Sequence, residues 1–249
     1  GIIAPGKKAD IVILDNLEEC RAQTVICGGK VIDENLFSKV KRVNPIGLNS
    51  VKSKDLNKSD FITKDKIQNT NVIGIIEGKI ITEHILEDIP IIDGDKAPDI
   101  SRDLIRVSVI ERHGKNNNIA NGFVRGFGLK KGAVASTVAH DHHNIVSIGV
   151  EYEDMALACN RIKEIDGGFV IASQGKIISE LPLPIAGLMS LESFETVRNQ
   201  LVELRKSAKD LGIILEEPFL QLAFLALPVI PSLKITDFGM VDVEKFKII

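Results

Sequence analysis

The order of apolar and polar positions along the chain predicts mostly β-strands. "ADIVILD", from Ala9, is a short apolar run, and "TVICGGKVIDE", from Thr24, sets Gly28-Gly29 between two β-branched stretches, as a hairpin turn requires. Residues 36–69 break the pattern. They are polar and lysine-rich and read as a linker or surface excursion with little core of its own. The pattern then recovers. "NVIGIIEGKIITEHIL" predicts a second hairpin, "DLIRVSVIERHG" a strand with a charged end, and "GGFVIASQGKIISELPL" a third hairpin. "NGFVRGFGLKKGAVASTVAHDHHNIVSIGV" reads as two strands around glycine-rich turns.

Helical spacing is confined to three places. Met155, Ala158, Cys159 and Ile162 recur at the helical period. "SLESFETVRNQLVELRKSAKDLG" gives the clearest helix, with Ser190 or Ser193 as its cap, Gly212 as its stop, and Phe194, Val197, Leu201, Leu204 and Ala208 as its buried stripe. Pro218 to Ala226 suits a short buried helix. The phrases "GKVIDE", "GKIITE" and "GKIISE", starting at Gly29, Gly78 and Gly175, share hairpin chemistry: a turn glycine, then β-branched residues in the return strand. Their flanks do not match over a domain's length, so local geometry explains them better than triplication. The resulting expectation is an α+β protein, strand-rich over 70–249, with two or three helices and no complete (β/α)8 barrel.

Composition sharpens this picture at a few points. Only 4% of the 249 residues are aromatic, with no Trp and one Tyr, so the core is aliphatic and favours strands. A net charge of −3 supplies no field for nucleic acid or an anionic membrane surface. No apolar run nears the ~20 residues that span a bilayer, and no signal peptide is expected. Cys20, Cys27 and Cys159 stand at no ligand spacing and read as reduced thiols, which predicts a cytoplasmic setting.

The candidate chemistry lies in two clusters. In "VAHDHHNIVSIG", His140 and His142 stand two apart, so on a strand both would face one way, as in an HxH metal pair. His140, Asp141, His143 and Glu111 could supply the ligands of a small metal site; equally, these groups could hydrogen-bond each other and the backbone at a strand end. In "VIERHGKNN", Glu111, Arg112 and His113 end an apolar strand, where side chains project into a cleft or simply into solvent. "GFGLKKGA" matches neither the P-loop nor the dinucleotide fingerprint and is taken as a loop.

Four phrases in order, "ERHGKN", "GFVRGFGLKKGAVASTVAHDHHNI", "ELPLPIAGLMS" and "FLALPVIPSLKITDFGMVDV", resemble the C-terminal region of microbial adenine deaminases, over roughly Leu104 to Val243. The opening "GIIAPGKKADIVILD" with "VICGGKVIDE" is similar to the segment that follows the barrel in the amidohydrolase superfamily, where the chain completes a small β-sandwich. The resemblance implies a parent enzyme that hydrolyses adenine to hypoxanthine and ammonia in purine salvage. Its chemistry would belong to divalent metal, manganese or iron, in an N-terminal (β/α)8 barrel that this chain lacks. It also implies a homo-oligomer. Residues 1–35 would be the sandwich portion, 36–69 the connection and 70–249 the C-terminal domain. The family pattern His-Asp-Ser-His-Asn matches at His140, Asp141, His143 and Asn144, while His142 stands at the serine position, so the HxH spacing rests on the one departing residue.

No catalytic residue is therefore expected in this chain alone. Glu111, Arg112, His113, His140, Asp141, His143 and Asn144 form the candidate polar pocket, with His140 and His143 its candidate metal donors. His142 is expected to point away, by strand alternation. Two rival readings remain: an independent small metal enzyme built on these residues, and a plain interaction module.

Overall fold

A computed structural model describes residues 1–33, 35–36, 44–64 and 68–249, and the chain divides into two compact units, Gly1–Asn44 and Pro45–Ile249. The first holds an antiparallel sheet of β1 (Ile11–Leu14), β2 (Ala22–Cys27) and β3 (Lys30–Val31), in that order. Gly28 and Gly29, at φ 58° and 79°, make the tight turn between β2 and β3, a region of backbone space that suits glycine. None of the described residues of this unit is buried, and Ile3, Val12 and Val31 stand in solvent.

The second unit is built on an eight-stranded sheet. Its strands are β4 (Thr70–Ile75), β5 (Thr82–Glu87), β8 (Leu104–Ile110), β9 (Ile119–Arg125), β10 (Ala133–Ser136), β11 (Ile145–Gly149), β12 (Gly168–Ser173) and β13 (Lys176–Pro182), in the order β13-β12-β10-β11-β8-β9-β4-β5. All neighbours are antiparallel except β4 and β9. Between β5 and β8 lies the two-stranded ribbon of β6 (Ile91–Ile92) and β7 (Asp95–Lys96). Each central strand feeds two cores. In β8, Ile105, Val107 and Val109 enter one apolar cluster while Ile110 enters the other; in β12, Ile171 and Val170 divide likewise. This is the period-2 alternation of a pleated strand with both faces covered.

Helix α1 (Tyr152–Glu164) covers one face, against β10, β11 and β12. Met155, Ala158, Cys159 and Ile162 are buried there, as the spacing predicts. Asp154, in its first turn, accepts the N–H groups of Gln174 (2.9 Å) and Gly175 (2.8 Å), so the helix holds the β12–β13 turn. Burial pushes the Cys159 thiol up to about 12, which leaves it a packing group. The N-terminal residue Tyr152 sits between Arg106 and the Lys96 carbonyl. Helices α2 (Phe194–Asp210) and α3 (Pro218–Phe224) cover the opposite face, together with a small sheet of β14 (Leu233–Thr236), β15 (Gly239–Asp242) and β16 (Lys247–Ile248).

Three expectations are corrected. The stretch 119–149 holds three strands rather than two, because β10 is a four-residue strand of Ala, Val and Ser buried on both faces, which carries no alternation to read. Phe194 does not join the stripe of α2. It is 77% exposed, whereas Leu204 and Ala208 are buried and Val197 and Leu201 half-buried. And 36–69 is no coreless linker throughout: Val51, Leu56 and Phe61 pack with Met155 and Ile162 of α1. Residues 37–43 and 65–67 of that stretch lie outside the described residues.

Candidate functional site

Register brings both clusters to one end of the large sheet. Ile110, the last residue of β8, pairs with Ile119 and with Ile145, the first residues of β9 and β11. Ser136, the last of β10, pairs with Val146 and Phe169. The segments 111–118 and 137–144 therefore leave the sheet side by side. The second is a turn rather than a strand, so faces do not alternate along it.

Arg112 is the centre of this end. It is 2% exposed. Its Nε donates to the His143 carbonyl, Nη1 to the carbonyl (3.3 Å) and hydroxyl (3.1 Å) oxygens of Ser50, and Nη2 to the Ala186 carbonyl at 2.9 Å. A Cβ on Gly187 would come within 2.9 Å of Nη2, so the guanidinium needs glycine there. Burial lowers the Arg112 pKa, and the carboxylates of Asp166 and Glu111 oppose that fall. One fork thus ties together a strand end, the histidine turn and two loops, and it spends its donors on backbone oxygens and one serine hydroxyl.

Glu111 turns into its own loop. Its carboxylate accepts the backbone N–H groups of His113, Lys115 (3.1 Å), Asn116 (3.4 Å) and Asn117 (3.3 Å). Burial would raise its pKa, and these four donors outweigh burial and hold it below the usual 4.5. His113 lies exposed, with Nε2 2.8 Å from the His142 carbonyl oxygen. Asn144 is buried: Oδ1 accepts the Arg112 N–H at 3.3 Å, and Nδ2 donates to Asp237 Oδ1 at 3.1 Å.

The three histidines of the turn take different directions. His140 lays its ring against Phe224, with centroids 4.8 Å apart, and its Nδ1 stands 3.8 Å from Asp141 Oδ1. The Asp141 side chain is 84% exposed. His143, at φ 49°, donates its N–H to the Ala139 carbonyl at 2.8 Å and keeps its Nδ1 buried without a partner. His142 does not point away. Its Nδ1 accepts the Asn144 N–H at 3.0 Å, and its Nε2 is buried. Burial lowers the pKa of both rings. Asp237 opposes the fall for His142; Arg112 and His140 add to it for His143.

Glu111, Arg112, His113, His143 and Asn144 thus share one hydrogen-bonded network, which also takes in His142. His140 faces α3 at its side, 6.5 Å from His143 between ring centroids, and Asp141 faces solvent. The donor set does not fit a metal. Among the described residues no three His, Cys, Asp or Glu side chains form a metal-binding group, and the Glu111 carboxylate is already taken by backbone donors. Three contributors escaped sequence reasoning because each acts from far along the chain: Ser50, Asp237, and Asp166, which accepts the N–H groups of Asn49, Ser50 (2.7 Å) and Val51 (3.1 Å).

The family model for the adenine deaminase C-terminal domain matches residues 79–247. The chain belongs to that family. The adenine deaminase of Cereibacter sphaeroides is 57% identical over 249 residues, which is 100% of this chain and 44% of that protein. Those of Brucella anthropi and Brucella abortus are 56% and 55% identical, over 99% and 100% of this chain and 44% and 43% of their own lengths. The chain spans less than half the length of these relatives, and corresponds to their C-terminal part. The adenine deaminase match runs through both units, so it includes the coreless sheet of 1–44 as well as the histidine turn. It favours neither the independent metal enzyme nor the plain interaction module.

Proposed function

We propose that this chain is the C-terminal accessory region of an enzyme that hydrolyses adenine to hypoxanthine and ammonia. The observation that carries the reading is the 57% identity to an adenine deaminase over the full chain and only 44% of that protein. The chemistry of the site agrees with it. Arg112, Glu111 and Asn144 are engaged with backbone and with each other, as in a structural hub, and none is held ready for a substrate.

On this reading, metal activates water in the part of the enzyme that precedes residue 1, with manganese or iron as the metal. Purine salvage and a homo-oligomeric state belong to that whole enzyme and rest on the resemblance, while a cytoplasmic location rests on the reading of Cys20, Cys27 and Cys159 as reduced thiols. The residues here contribute by building a rigid end to the eight-stranded sheet. The test compares two polypeptides under added Mn²⁺ or Fe²⁺. The longer one, with its N-terminal part, should release ammonia from adenine, and this chain alone should release none. Deamination by this chain alone, abolished by His140→Ala, would refute the accessory reading.

A further inference from the structure

At the start of β4 the large sheet comes apart. Strands β4 and β9 run parallel and pair only at Val72–Phe123, Ile73–Val124 and Gly74–Arg125. One residue earlier Asn71 and Gly122 do not pair, and a slot of about 240 Å³ opens there. Phe123 and Met240 supply apolar walls, and Thr63, Thr70, Asn71 and Arg106 polar ones. Gly122 keeps one wall flat, since a Cβ there would come within 2.7 Å of Met240 Sδ. The slot lies wholly in the second unit and shares no residue with the histidine turn. Most polar groups around it already have partners. Arg106, fully buried on β8, lays its guanidinium on the Phe123 ring, 4.2 Å from the centroid. Its Nη1 donates to Thr63 Oγ1 at 2.9 Å, and its Nη2 to the Lys96 carbonyl, the Tyr152 hydroxyl (2.6 Å) and Asp95 Oδ1 (3.3 Å). Asn71 Oδ1 stands 2.7 Å from His84 Nε2. Two atoms are left over. Arg106 Nε and Thr70 Oγ1 are both buried, and neither has a hydrogen-bond partner among the described residues. Buried polar atoms are nearly always paired, so two orphans from different strands at one slot call for a common partner.

We propose that this slot binds a neutral, planar heterocycle of one or two rings. The ligand offers an acceptor, a carbonyl oxygen or a ring nitrogen, to Arg106 Nε and a second polar group to Thr70 Oγ1. Each part of that description has its cause in the walls. Small-molecule sites run from about 300 Å³ upward, so a slot just below that range takes a base-sized ring system and not a nucleotide. The space between two parting strands favours a flat occupant, and the Met240 thioether makes favourable contact with an aromatic ring. Asp95 already balances the Arg106 charge, so an anion gains little there and meets a like charge. Both orphaned atoms are already out of water, so pairing them with the ligand adds no desolvation cost on the protein side. At Thr70 and Asn71 strand β4 has no strand partner on its β9 side, which leaves the strand end free to yield as the ring enters.

The experiment uses this chain labelled with carbon-13 at the methyl groups of its three methionines, Met155, Met189 and Met240. The probes are hypoxanthine and uracil, neutral oxo-heterocycles of two rings and one, with benzoate as a planar anion. In a titration followed by nuclear magnetic resonance, at least one neutral probe should shift the Met240 methyl signal saturably through its ring current. The Met155 and Met189 signals should stay in place, which locates the binding at the slot. Thr70→Val removes only the unpaired hydroxyl. It should weaken binding about threefold or more and should not lower the unfolding midpoint. Four results would each overturn the proposal: no saturable Met240 shift with either neutral probe, benzoate binding as tightly as they do, affinity unchanged in Thr70→Val, or a lower unfolding midpoint in that variant, which would show the hydroxyl to be paired within the fold. Deamination is not read in this experiment, so its outcome leaves the proposed function where it stands.

Discussion

A single guanidinium holds four pieces of chain at the end of the sheet, and the cost of losing it is set by what it leaves behind. Arg112→Met would keep the volume but leave the half-buried carbonyls of His143 and Ala186 without this donor. Unsatisfied buried acceptors cost about 1–3 kcal/mol each, and two half-buried ones fall at the low end, so a loss of roughly 2 kcal/mol is expected in urea unfolding of this chain. A loss below about 0.5 kcal/mol would show that the fork is not structural. The two histidines behind it make stability depend on pH. The pKa values of His142 and His143 are both lowered below 6.5 in the folded chain, so the unfolded state binds protons first as pH falls. The stabilisation is complete above 6.5 and is lost progressively below it. His142→Gln should blunt this loss, read as a smaller drop in unfolding midpoint between neutral and mildly acid pH. These residues were only partly legible. The type and place of Arg112 and Asn144 marked a site, but the partners Ser50 and Asp237 are brought in by tertiary contact that no local pattern encodes.

At the scale of elements, legibility followed burial geometry. Hairpins announced by a turn glycine and β-branched flanks, such as β4–β5 and β12–β13, stand where the pattern puts them. Helix α1 follows its spacing because one side alone is packed on the sheet. Strand β10 escaped because both its faces are covered and its residues are small. Helix α2 shows the limit of periodicity in another way. Phe194 falls on the stripe by count, yet it is the first helical residue, where the chain is still arriving and the stripe has not reached the sheet. Two substitutions separate the cases. Leu204→Ala, at a fully buried site, should cost about 2–5 kcal/mol, whereas Phe194→Ser should lie within about 0.5 kcal/mol of the parent. Equal losses in thermal or urea unfolding would contradict the packing described for α2.

Over the whole molecule, resemblance read from four phrases gave the right family, and strand counting and register could not have done so. What the sequence concealed was the division of 36–69, part of which packs beneath α1 through Val51, Leu56 and Phe61. One consequence of that packing concerns measurement. Tyr152 is the chain's one tyrosine, and there is no tryptophan. It sits at the start of α1, with its hydroxyl bonded by Arg106 at 2.6 Å. Burial raises its pKa from 10.0 to about 12, Arg106 opposing. The folded chain keeps this proton where an unfolded one gives it up, so stability falls as pH climbs from 10 toward 12. All near-ultraviolet phenol absorbance and all tyrosine fluorescence of the second unit then come from one ring against the sheet. At a pH near 11, unfolding should register as a step of phenolate absorbance equal to one tyrosine; a phenolate signal already full in the folded chain would place that ring in water.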